Sequence, residues 1–330
     1  MTSWDDSTVG GRETVRDVLV DAERRLTAVG VPSPSVDAAC IVAHAMSTTR
    51  SRLFLQDSMT SEQRVQVEKL LARRLSRVPL QHLLGSAGFR RIDVQVGPGV
   101  FIPRPETELV AEAAIRGLNE LPAGERIGVD LCAGSGAIAI SMALEASGSR
   151  IHAVELSDDA IEWTRLNAHS YEELLASHGS TVEVHHADAT TVADPGHPLS
   201  RLAGTVGVVA SNPPYIPDLM VPREPEVRDH EPRMALYGGE DGLDVVRGVA
   251  RTAAILLRHG GLLVIEHADV QGQGETGVPW VLKSFVADAH LATMADVPAG
   301  RAVFEAISDR TDLNGLPRFT VARKVGGGLA

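Results

Sequence analysis

The stretch from Asp130 to Ala139, D-L-C-A-G-S-G-A-I-A, decides the fold class. The apolar run Ile127–Leu131 that leads into it is typical of a buried strand, and the small apolar residues after Gly136 are typical of a helix start. Gly134 and Gly136 allow the backbone to bend sharply and to approach a ligand closely. A strand, a glycine-rich turn and a helix in this order predict a nucleotide-type binding loop in an α/β fold.

Strand-like and helix-like segments alternate from about residue 105 onward. The predicted strands are Ile127–Leu131, Ile151–Glu155, Val182–His185, Val206–Ser211, Leu262–Glu266, Leu291–Asp296 and Phe319–Arg323. Helical patterns lie between most of them, and this alternation predicts a parallel sheet covered by helices on both faces. We therefore expect residues 105–330 to form a Rossmann-like α/β domain.

The first 85 residues show the pattern of a separate, helical domain. The first predicted helix has apolar residues from Val15 to Val29 on one face. The second predicted helix is Ser35–Met46, and the third begins at a capping box formed by Thr60 and Gln63. We expect residues 86–104 to form a β-hairpin linker that contains Gly97-Pro98-Gly99 between its strands. No catalytic group is evident before residue 85.

The composition is that of a globular cytoplasmic protein. The chain has 330 residues, of which 44% are hydrophobic and 22% are charged, and it has two cysteines, Cys40 and Cys132. Its net charge of −12 argues against direct nucleic-acid binding, which depends on clustered lysine and arginine. We expect no secretory signal and no membrane contact, because no apolar stretch approaches the roughly 18 residues of a span.

Two polar clusters receive ordinary structural interpretations. The first cluster consists of arginines, namely Arg73, Arg74, Arg77, Arg90 and Arg91. We interpret these arginines as part of a solvated helix face in preference to a positively charged binding face. The histidines are interpreted as packing or surface residues, because they lack the spacing of metal ligands; they are His152, His185 and His186. The sequence therefore predicts no metal site.

Acidic residues after the second and third strands point to a ligand that contains a ribose. Glu155 lies 19 residues after Gly136, where a carboxylate can bind ribose hydroxyls. The third position of the glycine pattern is Ala139, which is compatible with NAD and with S-adenosylmethionine. Asp188, placed to meet an adenine amino group, and Asn212, at the end of the fourth strand, favour S-adenosylmethionine.

The segment S-N-P-P-Y-I, from Ser211 to Ile216, follows the fourth strand. Pro213 and Pro214 have no N–H and a fixed φ, so their carbonyl groups can be held rigidly as acceptors. Asn212 adds a side-chain carbonyl, and Tyr215 can supply a flat surface. Such a site suits an –NH2 group on a planar, conjugated carbon, whose delocalised lone pair needs alignment against an electrophile. A sulfonium methyl group is a fitting electrophile.

Three further stretches resemble the HemK/PrmC family of release factor glutamine methyltransferases. They are F-I-P-R-P-E-T-E at Phe101–Glu108, E-V-R-D-H-E-P-R-M-A-L at Glu226–Leu236 and G-G-E-D-G-L-D at Gly238–Asp244. The resemblance covers nearly the whole chain. It implies a class I fold and methyl transfer from S-adenosylmethionine, with S-adenosylhomocysteine as product, to the glutamine of the Gly-Gly-Gln tip of peptide chain release factors. Because a small flat amide offers little binding energy, we also expect residues 1–85, which carry no assigned chemical group, to dock this protein substrate.

The resemblance assigns roles residue by residue. The expected cofactor-binding residues are Asp130, Cys132, Ala133, Gly134, Ser135, Gly136, Glu155, Asp188, Ala189 and Asn212. The expected catalytic residues are Asn212, Pro213, Pro214 and Tyr215, and these are expected to bind the substrate together with Phe101 and Arg104. The glycine-rich loop at 267–279 departs from the family, and we expect it to touch none of these residues.

Two other functions compete with this interpretation. A nucleic-acid adenine N6-methyltransferase shares the Asn-Pro-Pro-Tyr motif, but it must flip a base and grip phosphates, which the acidic composition disfavours. A non-catalytic protein that only binds S-adenosylmethionine has no use for paired acceptors beside the methyl group.

Overall fold

The computed structural model describes residues 14–274 and 276–326. The described helices are α1 (Val15–Ala28), α2 (Pro34–Ala45), α3 (Ser61–Leu75), α4 (Leu80–Leu84), α5 (Thr107–Asn119), α6 (Ala137–Glu145), α7 (Asp158–Ser170), α8 (Glu172–Ser177), α9 (Pro225–His230), α10 (Asp244–Leu256), α11 (Val278–Lys283) and α12 (Ala289–Ala295). The described strands are β1 (Ser86–Phe89), β2 (Ile92–Gln95), β3 (Ile127–Leu131), β4 (Arg150–Glu155), β5 (Thr181–His186), β6 (Val206–Ser211), β7 (Leu257–Glu266), β8 (Phe304–Thr311) and β9 (Pro317–Lys324).

The chain divides into two compact units. The smaller one contains the described residues up to Gly85 together with Glu224–His230, and the larger one contains the rest. In the smaller unit, α1 buries the predicted apolar face through Val15, Val18, Ala22 and Leu26. The predicted capping box of Thr60 and Gln63 is present at the start of α3, where it satisfies backbone groups at the helix end.

The interpretation of the arginine cluster as a solvated face is wrong for its central member. Arg74 is buried, and its guanidinium pairs with Asp37 at 2.7 Å and with Glu226 at 2.8 Å. Arg77 pairs with the same Glu226 at 2.7 Å. The carboxylates that neutralise these arginines come from α2 and α9, which helical periodicity within α3 cannot reveal. The pairs attach the distant segment α9 to the smaller unit.

The larger unit is built on a seven-stranded sheet with the order β5-β4-β3-β6-β7-β9-β8. The strands from β5 to β7 are parallel, whereas β9 and β8 are antiparallel to their neighbours. Alternate residues of the central strands enter two apolar clusters, one with α10, α11 and α12 and the other with α5 and α6. The predicted parallel sheet with helices on both faces is therefore confirmed.

The predicted strand at Leu291–Asp296 is wrong, because these residues belong largely to α12. The Asp288 carboxylate caps this helix by accepting a hydrogen bond from the Leu291 N–H at 2.7 Å, and the buried residues Leu291 and Ala295 are four apart, as on a helix face. The true edge strand, β8, was missed because it is mostly polar and its pairing with β9 is irregular.

The hairpin is present, but its turn lies elsewhere than expected. Strands β1 and β2 are joined at Arg90-Arg91, and Gly97-Pro98-Gly99 follows the second strand. A Cβ atom on Gly97 would lie 2.6 Å from the Trp163 ring, so this glycine allows close packing on α7. Arg90 is paired with Glu112 and Glu145, at 2.6 and 2.7 Å, so it too lies outside a solvated face.

No helix in the described part of the chain is long and apolar enough to cross a membrane.

We predict that Asp37→Ala destabilises the smaller unit by about 3 kcal/mol, because it leaves the buried Arg74 guanidinium with one carboxylate fewer. The measurement is the free energy of unfolding in denaturant. The control is Asp21→Ala, which removes a partly exposed carboxylate paired with Arg24 and Arg25 on its own helix and should cost at most about 1 kcal/mol. Equal losses in the two variants would contradict the structural importance of the buried pair.

Candidate active site

The register of the central strands places four loops side by side at one edge of the sheet. Val154, Leu131, Ser211 and Ile265 are successive partners across β4, β3, β6 and β7. The residues that follow them are Glu155, Cys132, Asn212 and Glu266. Ligands of open α/β sheets bind at this carboxyl edge. The structure thus brings the predicted cofactor loop and the predicted substrate loop together.

The glycine loop after β3 requires unusual backbone conformations. Cys132, Gly134 and Gly136 have φ values of +66°, +56° and +81°. Gly136 precedes α6, and a Cβ atom there would lie 3.3 Å from the Thr164 side chain. A Cβ atom on Gly134 would meet no atom within 4 Å, so the backbone at this position borders open space. The loop therefore has the room for a ligand that the glycine pattern predicts.

Glu155 holds this loop against the end of β4. Its carboxylate accepts hydrogen bonds from the N–H groups of Gly134 at 2.8 Å, Leu156 at 2.9 Å and Ser157 at 2.8 Å. A carboxylate has about four acceptor positions, so one remains for a ribose hydroxyl. The same carboxylate thus orders the glycine loop and keeps acceptor capacity at the ligand edge.

Asp130 contacts the protein rather than the open space at the edge. It is fully buried, and its Oδ2 accepts a hydrogen bond from the Ala139 N–H at 3.0 Å, in the first turn of α6. Burial raises the pKa of Asp130 to about 8. Its observed contact joins the strand to the helix that follows the glycine loop.

Asp188 lies two residues beyond the end of β5, next to the buried Ala189. Its Oδ1 accepts hydrogen bonds from the N–H and the hydroxyl group of Thr190, at 2.8 and 2.7 Å. These bonds orient the carboxylate and involve only one of its two oxygens. The second oxygen has the acceptor chemistry that an adenine amino group requires.

Asn212 is oriented by a residue of the F-I-P-R-P-E-T-E stretch. Its Nδ2 donates to the Thr107 hydroxyl at 3.5 Å. The same hydroxyl lies close enough to the Glu266 carboxylate to lower its pKa, against the effect of burial. The amide nitrogen is thereby turned toward Thr107, and the carbonyl Oδ1 is the atom of this side chain that keeps acceptor chemistry.

Thr107 and Glu266 are site residues that the sequence interpretation missed. Glu266 is buried at the end of β7, and burial raises its pKa to about 7, with Thr107 and Arg318 opposing the shift. The sequence does contain a signal for Glu266, because it is an acidic residue at the end of the apolar run Leu262–Glu266. The strand that Glu266 ends, β7, pairs with β6, which leads into Asn212.

The Asn-Pro-Pro-Tyr segment packs directly on the glycine-rich stretch that follows residue 237. A Cβ atom on Gly238 would lie 2.5 Å from the Pro214 carbonyl oxygen, and one on Gly242 would lie 2.3 Å from that of Tyr215. Ile216 adds backbone hydrogen bonds to this stretch, donating to the Leu236 carbonyl and accepting from the Gly238 N–H. The carbonyl of Pro214 thus faces the protein, which leaves that of Pro213 as the better candidate acceptor.

The expectation that the 267–279 loop touches none of the site residues is wrong. The buried Gln271 donates from Nε2 to the Tyr215 carbonyl at 3.0 Å. Its own backbone belongs to a short 3-10 turn, Asp269–Gln271. The loop after β7 therefore fixes the backbone at Tyr215. Burial also raises the pKa of the Tyr215 phenol, which stays neutral at physiological pH.

Phe101 and Arg104 lie together on the segment that precedes α5. The Arg104 guanidinium lies 4.8 Å from the centre of the Phe101 ring and pairs with the buried Glu231 carboxylate. This pairing joins two of the motif stretches, F-I-P-R-P-E-T-E and E-V-R-D-H-E-P-R. The Phe101 ring is partly exposed, and it lies on the segment that leads to Thr107.

The sheet and this edge define a class I S-adenosylmethionine-dependent methyltransferase. The backbone at Gly134 borders open space, and Glu155 and Asp188 keep carboxylate oxygens with the acceptor chemistry that a ribose and an adenine require. When bound, the cofactor supplies an electrophilic methyl group.

Comparison with known proteins identifies the family. A family model described as the PrmC N-terminal domain matches residues 17–85. The release factor glutamine methyltransferase of Streptomyces coelicolor is 44% identical over 93% of this chain and 96% of its own length. That of Mycolicibacterium smegmatis is 39% identical over 94% and 98%. A 4-amino-L-phenylalanine/4-methylamino-L-phenylalanine methyltransferase of Streptomyces pristinaespiralis is 33% identical over 78% and 84%. The chain belongs to the release factor glutamine methyltransferase family.

We predict that Thr107→Val lowers kcat about tenfold, because the Asn212 amide loses a hydrogen bond of roughly 1–2 kcal/mol that orients it. The affinity for S-adenosylmethionine should be unchanged. Thr107→Ser, which keeps the hydroxyl, is the matched control and should retain most of kcat. A lower cofactor affinity with normal kcat in Thr107→Val would show that Thr107 acts elsewhere.

Proposed function

We propose that the protein transfers a methyl group from S-adenosylmethionine to the side-chain amide nitrogen, N5, of the glutamine in the Gly-Gly-Gln motif of a peptide chain release factor. The observation that carries this proposal is the orientation of Asn212, whose carbonyl is left as an acceptor by the Thr107 contact. Relatives named release factor glutamine methyltransferases match more than nine-tenths of the chain. Because release factors act in translation, the protein works in the cytoplasm and modulates termination.

The residues of this chain supply alignment rather than a strong base. The two N–H bonds of the substrate amide donate to the Asn212 Oδ1 and the Pro213 carbonyl, which directs the nitrogen lone pair toward the methyl group. In the proposed reaction the C–N bond would form as the S–C bond breaks, S-adenosylhomocysteine would be released, and the methylated nitrogen would pass one proton to solvent water. Both acceptors interact more strongly with these N–H groups as the nitrogen gains positive charge, so they stabilise the transition state more than the bound substrate.

Tyr215, Phe101 and Arg104 have a second role in the proposal. Tyr215 is neutral and partly exposed, so its ring can pack on the planar amide without introducing a charge. Phe101 and Arg104 lie on the segment that leads to Thr107, the hydrogen-bond partner of Asn212, and in the proposal they contact the chain on either side of the glutamine. Their contribution is to position the substrate.

An aromatic amine is the second candidate substrate. The Streptomyces pristinaespiralis relative, 33% identical, is named for methylation of 4-amino-L-phenylalanine, in which the –NH2 group also lies on a planar, conjugated carbon. The paired acceptors at Asn212 and Pro213 suit either group. An adenine amino group in nucleic acid presents the same geometry, but the chain's net charge of −12 disfavours binding to phosphates.

The deciding experiment incubates the protein with labelled S-adenosylmethionine and one substrate at a time. The substrates are an intact release factor, a Gly-Gly-Gln peptide, 4-amino-phenylalanine and an adenine-rich oligonucleotide. Mass spectrometry should find the label on the motif glutamine of the release factor. Label on the aromatic amine or the oligonucleotide, with none on the release factor, would replace the proposed substrate.

We predict that Asn212→Ala lowers the rate of methyl transfer by about 10²–10³, by analogy with the loss of one oxyanion-hole donor. The fold should survive, because Asn212 lies after the strand end. Single-turnover assays with the release factor measure the rate, and calorimetry verifies that S-adenosylmethionine still binds. Turnover close to that of the wild type would exclude Asn212 as the acceptor.

We also propose that the smaller unit docks the release factor. A small planar amide offers little binding energy, so selecting one glutamine of a folded protein requires remote contacts. The described part of this unit exposes adjacent large apolar side chains at Phe54 and Leu55, which are 81% and 63% exposed. These residues are the best candidates for such contacts, while residues 105–330 provide the cofactor and amide sites.

We predict that Phe54→Ser with Leu55→Ser lowers kcat/KM about 100-fold or more on the intact release factor, since losing two buried apolar contacts costs roughly 1.5–3 kcal/mol each. Activity on a Gly-Gly-Gln peptide should change little. The matched control is Val65→Ser, an exposed apolar residue on α3. Equal fractional losses on the release factor and on the peptide would argue against docking through this surface.

A further inference from the structure

A group of three potential metal ligands lies on the outer strands of the sheet. His152 belongs to β4, whereas Glu183 and His185 belong to the neighbouring edge strand β5. His152 and Glu183 are partners in the parallel register. Residues two apart on a strand point to the same face, so Glu183 and His185 lie on one side of β5. The three side chains converge there.

The distances between the potential donor atoms are near those around a tetrahedral ion. His152 Nδ1 lies 3.0 Å from His185 Nε2, and the two oxygens of Glu183 each approach one ring, Oε2 at 3.5 Å from His152 Nδ1 and Oε1 at 3.6 Å from His185 Nε2. Zinc ligands at about 2.0–2.1 Å in tetrahedral geometry are separated by about 3.3 Å. A rotation of the Glu183 carboxylate is needed to bring one of its oxygens to an ion shared with both imidazoles.

The two imidazoles are shielded from solvent, whereas the carboxylate is accessible. The side chains of His152 and His185 are each 9% exposed. Glu183 is 53% exposed and borders, with His152, a cavity of about 140 Å³ that gives an ion access.

Two arginine side chains would repel a metal cation at this position. Arg201 Nη2 lies 3.3 Å from the Glu183 carboxylate, and Arg150 lines the same cavity. Arg201 is 64% exposed, so its side chain can turn into solvent when a metal replaces it as the partner of Glu183. Arg150 precedes His152 by two residues and contributes repulsion that limits the affinity.

We propose that His152, Glu183 and His185 bind a divalent transition-metal ion, with Zn²⁺ as the fitting one, and that a water molecule completes its coordination. Two imidazoles, one carboxylate and an open position are a donor set that zinc uses. The ion would tie the edge strand β5 to β4. The site is separate from the cofactor edge, because His152 precedes Glu155 by three residues and points to the opposite face of the sheet. The sequence showed no ligand spacing, because the two histidines are brought together only by strand pairing.

The test uses the full-length protein without a histidine tag, after treatment with a chelator that is then removed. Titrations with ZnCl₂ by calorimetry and with CoCl₂ by visible absorption should show one ion per chain with micromolar or tighter affinity. Co²⁺ should give the intense visible bands of four-coordinate geometry. His185→Gln and Glu183→Gln should each weaken binding by at least about 100-fold, since loss of a ligand should exceed the 10–100-fold cost of losing an outer contact.

His186→Gln is the matched control, because His186 is the next residue but contacts the Leu156 carbonyl instead of the ligand group. It should bind zinc like the wild type. Arg201→Gln, which removes the competing cation, should bind several-fold more tightly; this variant tests the site even if a ligand variant fails to fold. Zinc should raise the unfolding temperature of the wild type and of His186→Gln, but not of His185→Gln. Weak binding that is equal in all variants, or none at micromolar zinc, would overturn the proposal. None of these measurements depends on the methylated substrate.

Discussion

The register of four parallel strands is the constraint on which the candidate active site depends. Because Val154, Leu131, Ser211 and Ile265 are paired across β4, β3, β6 and β7, the residues after them reach the sheet edge at the same level. A slip of one residue in any strand would turn its terminal side chain to the other face. Because β3 is buried on both faces, its register is restrained by single positions: a Cβ atom at Gly128 would lie 2.7 Å from the Met142 side chain, and the Asp130 carboxylate accepts a hydrogen bond from the Ala139 N–H. The core thus determines where a glycine loop and an acceptor amide can meet.

The Asn-Pro-Pro-Tyr segment creates a second requirement, because two successive residues lack an N–H group and cannot extend the sheet. Other parts of the chain must therefore fix the conformation of this segment. The stretch from Leu236 to Gly242 holds it through backbone hydrogen bonds to Ile216 and through glycines that allow contact with the Pro214 and Tyr215 carbonyls. Gln271 holds it from the loop after β7. The family motif G-G-E-D-G therefore has a steric cause at Gly238 and Gly242.

Local signals in the sequence predicted the parts of the fold whose causes are local. The glycine loop, the ends of the apolar strands and the capping box at Thr60 were all found in this way. The missed features depend on partners distant in the chain. Arg74 is buried because Asp37 and Glu226 neutralise it, β8 is a strand because β9 pairs with it, and Thr107 matters because α5 begins beside Asn212 and Glu266. The strand predicted at Leu291–Asp296 failed because a cap at Asp288, three residues upstream, starts a helix.

The proposed acceptor pair, Asn212 and Pro213, would recognise a geometry rather than one substrate. An amide, an aniline and an adenine each place an –NH2 group on a conjugated planar carbon, so the same two oxygens would suit all three. Under the proposed function, discrimination must therefore come from groups that contact the rest of the substrate. The proposed groups are the Tyr215 ring and the Phe101–Arg104 pair, in which Arg104 is also paired with Glu231. The two roles are physically separable, because the acceptors are set by strand ends in a rigid sheet, whereas the selecting groups lie on connecting segments that can change without moving the strands.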